Sequence, residues 1–304
     1  MNILITGITG YVGSRLEPRL RHDGHAVRGF ARDPTRAAPG VPVVAGDAVS
    51  GTGLEQALDG IDVAYFLIHS MEPAIDGTFP AREQAAADRF AQAARAAGVR
   101  RIVYLGGLMP IDGPASEHLA SRLEVEQILL GAAPCSVALR ASIVIGAGSR
   151  SFRFLVRLVE RLPVLALPAW HTNRTRPIDE RDIVEMLARA ATNDAVCGQS
   201  LDAGGPDLVS YGELIDRIAD HMLVRRPTVS FQRLMVTPIA SRIAASIAGE
   251  NHELIGPLME SLDHDLLPRD DRAAAILKVR LHSLDAAIEH ALRDWESTEP
   301  LAAR

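Results

Sequence analysis

Residues 2–6, NILIT, are a short apolar run ending in a glycine-rich turn, and the YVGSRLEPRLRHDG that follows has helical spacing up to Gly24. Short apolar runs bounded by turn residues read as buried strands, and longer amphipathic stretches as helices. The alternation then repeats. HAVRGFAR and VPVVAG predict strands, GLEQALDG a helix, DVAYFLIH a buried strand, PAREQAAADRFAQAARAAG a long helix and RRIVYLGG a further strand. A helix containing SRLEVEQILLG and a strand SVALRASIVIG come next. Strands and helices in this rhythm imply right-handed crossovers and a parallel, doubly wound sheet, an α/β fold.

After about residue 150 the rhythm changes. A helix SFRFLVRLVERL, a Pro-punctuated extended piece PVLALPAW, a helix DERDIVEMLARAA and a return strand QSLDAGG precede a mostly helical remainder that starts at SYGELIDRIADHML. The pattern divides the chain into a nucleotide-binding core, residues 1–150 with a returning strand near 199–205, and an interleaved, smaller and mostly helical substrate-binding region, residues 151–304. Ile239, Ile243 and Ile247 mark one apolar helix face, readable as core packing or as a wall of a pocket between the two regions. There is no internal repeat and no low-complexity tract.

Composition narrows the function classes. A chain of 304 residues buries roughly 75% of its unfolded surface, so a sizeable core is available. The 32 basic and 38 acidic side chains give a net charge of −6, which argues against nucleic acid or an anionic membrane and toward a small-molecule partner. No signal segment or membrane-spanning run is evident, and Cys135 and Cys197 are too few for a disulfide framework, so a reducing cytoplasm is the simplest setting. No oligomeric state follows from the sequence.

The loop ITGITGYVGSRL sets Gly7, Gly10 and Gly13 three apart between the first strand and the first helix. Glycine permits the tight turn and lets backbone N–H groups approach a pyrophosphate, which the helix N-terminus attracts. Inside a βαβ rhythm this spacing points to a bound dinucleotide, with Gly7, Thr9, Gly10, Tyr11, Val12 and Gly13 as its contacts. At the end of the second strand, where NAD-binding proteins place a carboxylate, stand Ala31 and Arg32. A guanidinium there suits a 2′-phosphate and favours NADPH over NADH, unless Arg32 is a solvated charge and Asp33 takes the ribose. Asp47, after the third strand, is placed either against the adenine amino group or as a cap or turn carboxylate.

Together the TGITGYVG loop, VRGFARDP, the GD after the third strand, RRIVYLGG and DAGGPDLVSYGEL resemble the short-chain dehydrogenase/reductase superfamily, and more narrowly its atypical, extended or NmrA-like NAD(P)H-binding branch. The likeness covers roughly residues 1–220. It implies a Rossmann-type sheet and a nicotinamide cofactor, with Gly106 beside it at the end of the fifth strand. Typical members carry a serine at that strand end and a tyrosine–lysine pair on the next helix. Here the strand ends in Gly106 and Gly107, the helix has His118 and Arg122, and the only lysine is Lys278. None of Tyr11, Tyr65, Tyr104 and Tyr211 has a lysine four residues on.

His118 is the candidate proton donor, with Arg122 one helical turn away keeping the site positive; the alternative is a surface histidine near a helix start capped by Ser116. His69 and Ser70, beyond the fourth strand, stand where the nicotinamide ribose or substrate binds, or pack in the core. Trp170 and Arg174, in the loop WHTNRTRPIDERD, and Arg140, near the end of the sixth strand, are candidate substrate contacts or else solvated charges. No histidine cluster indicates a metal. The leading expectation is an NADPH-dependent reductase of a small carbonyl, enone, quinone or flavin substrate. A cofactor-sensing regulatory protein and a redox-neutral isomerase, epimerase or cyclase are the alternatives.

Overall fold

The computed structural model describes residues 1–68, 79–112, 115–167, 169–230, 262, 264–299 and 301. His69, Ser70 and the Ile239, Ile243, Ile247 stripe lie outside the described residues.

Seven strands, β1 (Asn2–Thr6), β2 (Ala26–Ala31), β3 (Val43–Ala45), β4 (Val63–Phe66), β5 (Arg101–Gly107), β6 (Val137–Ala141) and β7 (Ser200–Ala203), form one parallel sheet in the order β7-β6-β5-β4-β1-β2-β3. The chain winds outward from β1 to β3, returns to β4 and winds the other way. The carboxyl ends of β1 and β4 therefore diverge at the switch point where open α/β sheets bind ligands.

Both faces of the sheet are covered, so its strands are apolar at nearly every position. The side chains still alternate. Ile3, Ile5, Val103, Leu105 and Leu139 enter one core, and Leu4, Ala64, Phe66, Ile102 and Tyr104 enter the other. The first core is closed by α1 (Tyr11–His22) and α6 (Glu180–Ala190), and the second by α2 (Leu54–Leu58), α3 (Phe79–Ala96) and α4 (Glu117–Leu130). Thus α6 and β7, from the second half of the chain, complete the first body. A third core lies among α5 (Arg150–Arg161), α7 (Tyr211–His221) and α9 (Leu284–Glu296), the short α8 (Arg272–Leu277) packing instead beside β7. The arginines of α5 are held there: Arg153 and Arg157 lie 4.2 and 4.9 Å from the ring centre of fully buried Trp295 and pair with Glu299.

The expectation that the cysteines stay reduced does not hold. β6 and β7 are neighbours, so the segments entering them bring Cys135 and Cys197 together, and a disulfide joins them at a Cα separation of 4.5 Å. Among the described residues no helix is long and apolar enough to cross a membrane.

Candidate active site

A cavity of about 480 Å³ opens at the carboxyl ends of the strands. Its floor is the glycine loop, whose geometry excludes side chains. Gly7 has φ +75°, and a Cβ there would stand 2.8 Å from the Leu67 carbonyl oxygen at the end of β4. A Cβ on Gly13 would stand 2.3 Å from the Gly7 carbonyl oxygen. Gly10 caps α1 without any side-chain hydrogen bond, so the first N–H groups of the helix are left for an anion. Gly7, Thr9, Gly10, Tyr11, Val12 and Gly13 all line the cavity, with Arg32, Asp47 and Gly106 further along its wall.

Tyr11 has a second task. Its hydroxyl donates to Glu180 at the start of α6, and its ring lies against Gly148; a Cβ on Gly146 or Gly148 would collide with it. Burial, reinforced by the Glu180 carboxylate, pushes the phenol far above its usual range, so it does not serve as an acid. It clasps the glycine loop to the second half of the chain.

At the β2 end the two readings of the ribose contact separate. Asp33 Oδ1 accepts from the Thr35 N–H at 3.0 Å and from the Thr35 hydroxyl at 2.5 Å, bonds that hold its carboxyl below the usual range. Those bonds fold the 3-10 turn Pro34–Arg36, and it is Arg32 and Arg36 that line the cavity. Asp47 Oδ1 accepts from the Val49 N–H at 2.6 Å and so holds its own turn while facing the cavity.

At the β5 end His118 is turned to Arg122. The Arg122 Nε donates to His118 Nε2 at 3.0 Å, and burial, assisted by the Arg122 charge, lowers the imidazole to about 3. At neutral pH the ring is uncharged, its Nε2 lone pair is occupied by a donor, and the residue lies behind the wall; Arg122 is in the wall. A Cβ on Gly107 would stand 3.9 Å from Arg122 Nη1, so the guanidinium lies over the strand end where typical members place their serine.

The three proposed substrate contacts sit away from this cavity. Arg140 is buried in a two-pronged pair with Glu126, at 2.8 and 2.6 Å, with Asp202 at 3.8 Å. Trp170 is a core residue set edge-on to Tyr211. Arg174 donates to Asp265 at 2.9 and 2.7 Å, and the neighbouring Arg176 pairs with Asp271 at 2.6 Å, so this loop fastens the segment around residues 262–271. None of these three lines the cavity. Sequence reasoning missed Arg36, Arg82 and Arg150, which do line it. The DP turn after Arg32 was a signal for Arg36; nothing local marked Arg82 or Arg150.

Residues 7–130 match the family described as NAD(P)H-binding. That stretch of the chain is thus similar to NAD(P)H-binding domains. It is 29% identical over 189 residues to the ceramide reductase of Caulobacter vibrioides, covering 61% of this chain and 59% of that one. It is 28% identical over 244 residues to the 2-alkyl-3-oxoalkanoate reductase of Stenotrophomonas maltophilia, covering 70% of this chain and 71% of that one. Matches to uncharacterized mycobacterial proteins, 29% identical, span only 22% of those proteins' length. The fold is that of MoeE5, solved with UDP-glucose and NAD, at a TM-score of 0.69 and 21% identity over 97% of this chain and 99% of that one.

Proposed function

We propose that this dinucleotide-binding protein is an NADPH-dependent reductase of a small organic molecule. The observation that carries the reading is the division of labour at the β2 end: Arg32 and Arg36 line the cavity, while Asp33 is committed to Thr35. Two guanidiniums suit a 2′-phosphate, and among the described residues no carboxylate of the β2 end lines the cavity to prefer a free 2′-hydroxyl. The residues present fit the cofactor, since the cradle at Gly7 and Gly13 admits no Cβ and the start of α1 has no side-chain cap. The reductase names of the curated relatives support the same reading.

In this proposal the backbone N–H groups of the glycine loop hold the diphosphate. Tyr11, through Glu180, holds that loop against the second half of the chain, and residues 1–150 with α6 and β7 form the nucleotide-binding body. When bound, a reduced nicotinamide supplies a hydride to a carbonyl or a conjugated double bond, and water supplies the proton. Gly106 leaves room at the end of β5, and Arg122 stabilises negative charge that develops on the acceptor. A conjugated acceptor, an enone, quinone or flavin, spreads that charge and needs a positioned acid least.

The test is stopped-flow absorbance of NADPH and NADH with a panel of ketones, enones and quinones. Oxidation of NADPH by at least one acceptor, faster than that of NADH, is expected. One observation favours a second reading, a sensor that binds the dinucleotide without turnover: among the described residues, no protonatable acid lines the β5 end. Tight NADPH binding with no oxidation by any acceptor decides for the sensor.

A further inference from the structure

The cavity wall is far more cationic than the protein that builds it. The chain carries a net charge of −6, yet Arg32, Arg36, Arg82, Arg122 and Arg150 line the cavity against one carboxylate, Asp47, among the described residues. Arg32 and Arg36 stand at the adenosine end with Asp47. The other three stand away from it, toward the end of β5 and the start of α5, where no carboxylate answers them.

Many arginines elsewhere in the protein are engaged, some by backbone carbonyls, as Arg28 and Arg226 are, and others by carboxylates. Arg19, Arg101, Arg140, Arg157, Arg174 and Arg181 each face a carboxylate within 4.0 Å. Arg82, Arg122 and Arg150 form no ion pair among the described residues, and the Nε of Arg82 is buried without a hydrogen-bond partner there. A guanidinium edge with no acceptor is costly, which favours an acceptor supplied from outside the described residues.

The placement is rigid. The Ser121 hydroxyl donates to Glu83 at 3.0 Å in the buried contact between α3 and α4, and a residue adjacent to each, Arg82 before Glu83 and Arg122 after Ser121, enters the cavity wall. His118, neutral and accepting at Nε2, fixes Arg122 by its Nε, and Nη1 lies 3.9 Å from where a Cβ on Gly107 would stand. A guanidinium fork held by its Nε is shaped for a planar or tetrahedral oxyanion.

We infer that the substrate carries an oxyanion, a carboxylate or a phosphate, bound by Arg122 and Arg82 beside Gly107 at the position left by the altered serine, tyrosine and lysine. The inference rests on the reading of this cavity as the cofactor and substrate site. Arg150, exposed at the start of α5, adds a third positive charge to the entrance. The substrate would then be anchored by its charge beside the reacting group, with Arg122 shared between the two.

Calorimetry on the full chain saturated with NADP⁺, which prevents turnover, tests this with benzoylformate, its methyl ester and phenyl phosphate at low ionic strength. One of the two anions is expected to bind about tenfold or more tighter than the neutral ester. Which anion prevails distinguishes the two sources of the oxyanion. Arg122→Gln and Arg82→Gln should each erase that preference while NADP⁺ affinity stays within about twofold, and Arg122→Lys should keep part of it. Equal binding of ester and anions, or no binding of any of the three, overturns the inference. So does a loss of NADP⁺ affinity in Arg122→Gln as large as the loss of anion affinity, because Arg122 would then serve the cofactor. A folded wild-type chain that binds no pyridine nucleotide is a different result, and sinks the reading of the cavity itself.

Discussion

At the β1–β2 end of the cavity the wall is mostly backbone, a turn whose conformation tolerates no Cβ at Gly7 or Gly13 and whose partner is the exposed start of α1. At the β5–α4 end the wall is side chain, and a guanidinium over Gly107 replaces the proton-relay set of typical relatives. The contrast teaches that the two tasks of such a cavity are constrained differently. Holding a diphosphate requires one backbone geometry, which fixes the glycines of the loop. The chemistry at the other end depends on a few side chains that can be exchanged while the sheet beneath them stays the same.

The contrast breaks most completely at Gly13. Gly13→Ala drives a Cβ to 2.3 Å from the Gly7 carbonyl oxygen, a backbone atom that cannot step aside. Loss of NADPH affinity by about 100-fold or more is expected in a fluorescence titration, and an unchanged affinity would remove the cradle from the account.

Next in size is Arg140→Ala, which sharpens the comparison by separating a structural arginine from a ligand-facing one. Glu126 and Asp202 would be left buried and uncompensated, so a cost of about 3–5 kcal/mol is expected in urea unfolding, with affinity per folded molecule intact. A stable variant with weakened ligand binding would restore Arg140 to the site.

Arg32→Ala tests the adenosine end alone. NADPH affinity should fall about 10- to 100-fold, and NADH affinity by no more than about twofold. Equal losses for both cofactors would mean that Arg32 does not meet a 2′-phosphate.

The smallest effect is on acid stability. His118 lies at about 3 in the fold against 6.5 for the free side chain, so the unfolded chain binds a proton that the folded chain refuses as pH falls from 6.5 toward 3. Its contribution is intact above 6.5 and is lost below it by at most about 1.4 kcal/mol per pH unit, less in practice because the ring is only partly buried. His118→Asn, which keeps an acceptor for Arg122, should flatten the fall in urea midpoint between pH 6.5 and 5. An identical slope in both proteins would return His118 to the list of titrating groups, and with it the proton-donor reading.

Much of this was visible in the one-dimensional pattern. The runs NILIT, DVAYFLIH and RRIVYLGG are central strands because a sheet covered on both faces needs apolar side chains at odd and even positions alike. The glycine spacing was informative for a similar reason, since a turn that excludes Cβ atoms leaves its mark on residue type. The state of His118 was not legible, because a histidine one turn before an arginine reads as a titrating pair, whereas burial and the Arg122 charge lower its pKa. The run WHTNRTR misled because arginines in a loop read the same whether they await a ligand or fasten a distant segment.

By itself, the sequence determined the α/β winding, the diphosphate cradle and the absence of a tyrosine–lysine relay, because each depends on local residue type and spacing. Only the tertiary structure decided which arginines are spent and which are offered. Arg140 meets Glu126 across 14 positions and Arg174 meets Asp265 across 91, while Arg82 and Arg122, on different helices, come to one wall without a carboxylate among the described residues. The physical reason is that a cation's role is set by what lies within a few ångströms of it, and folding chooses those neighbours from anywhere along the chain.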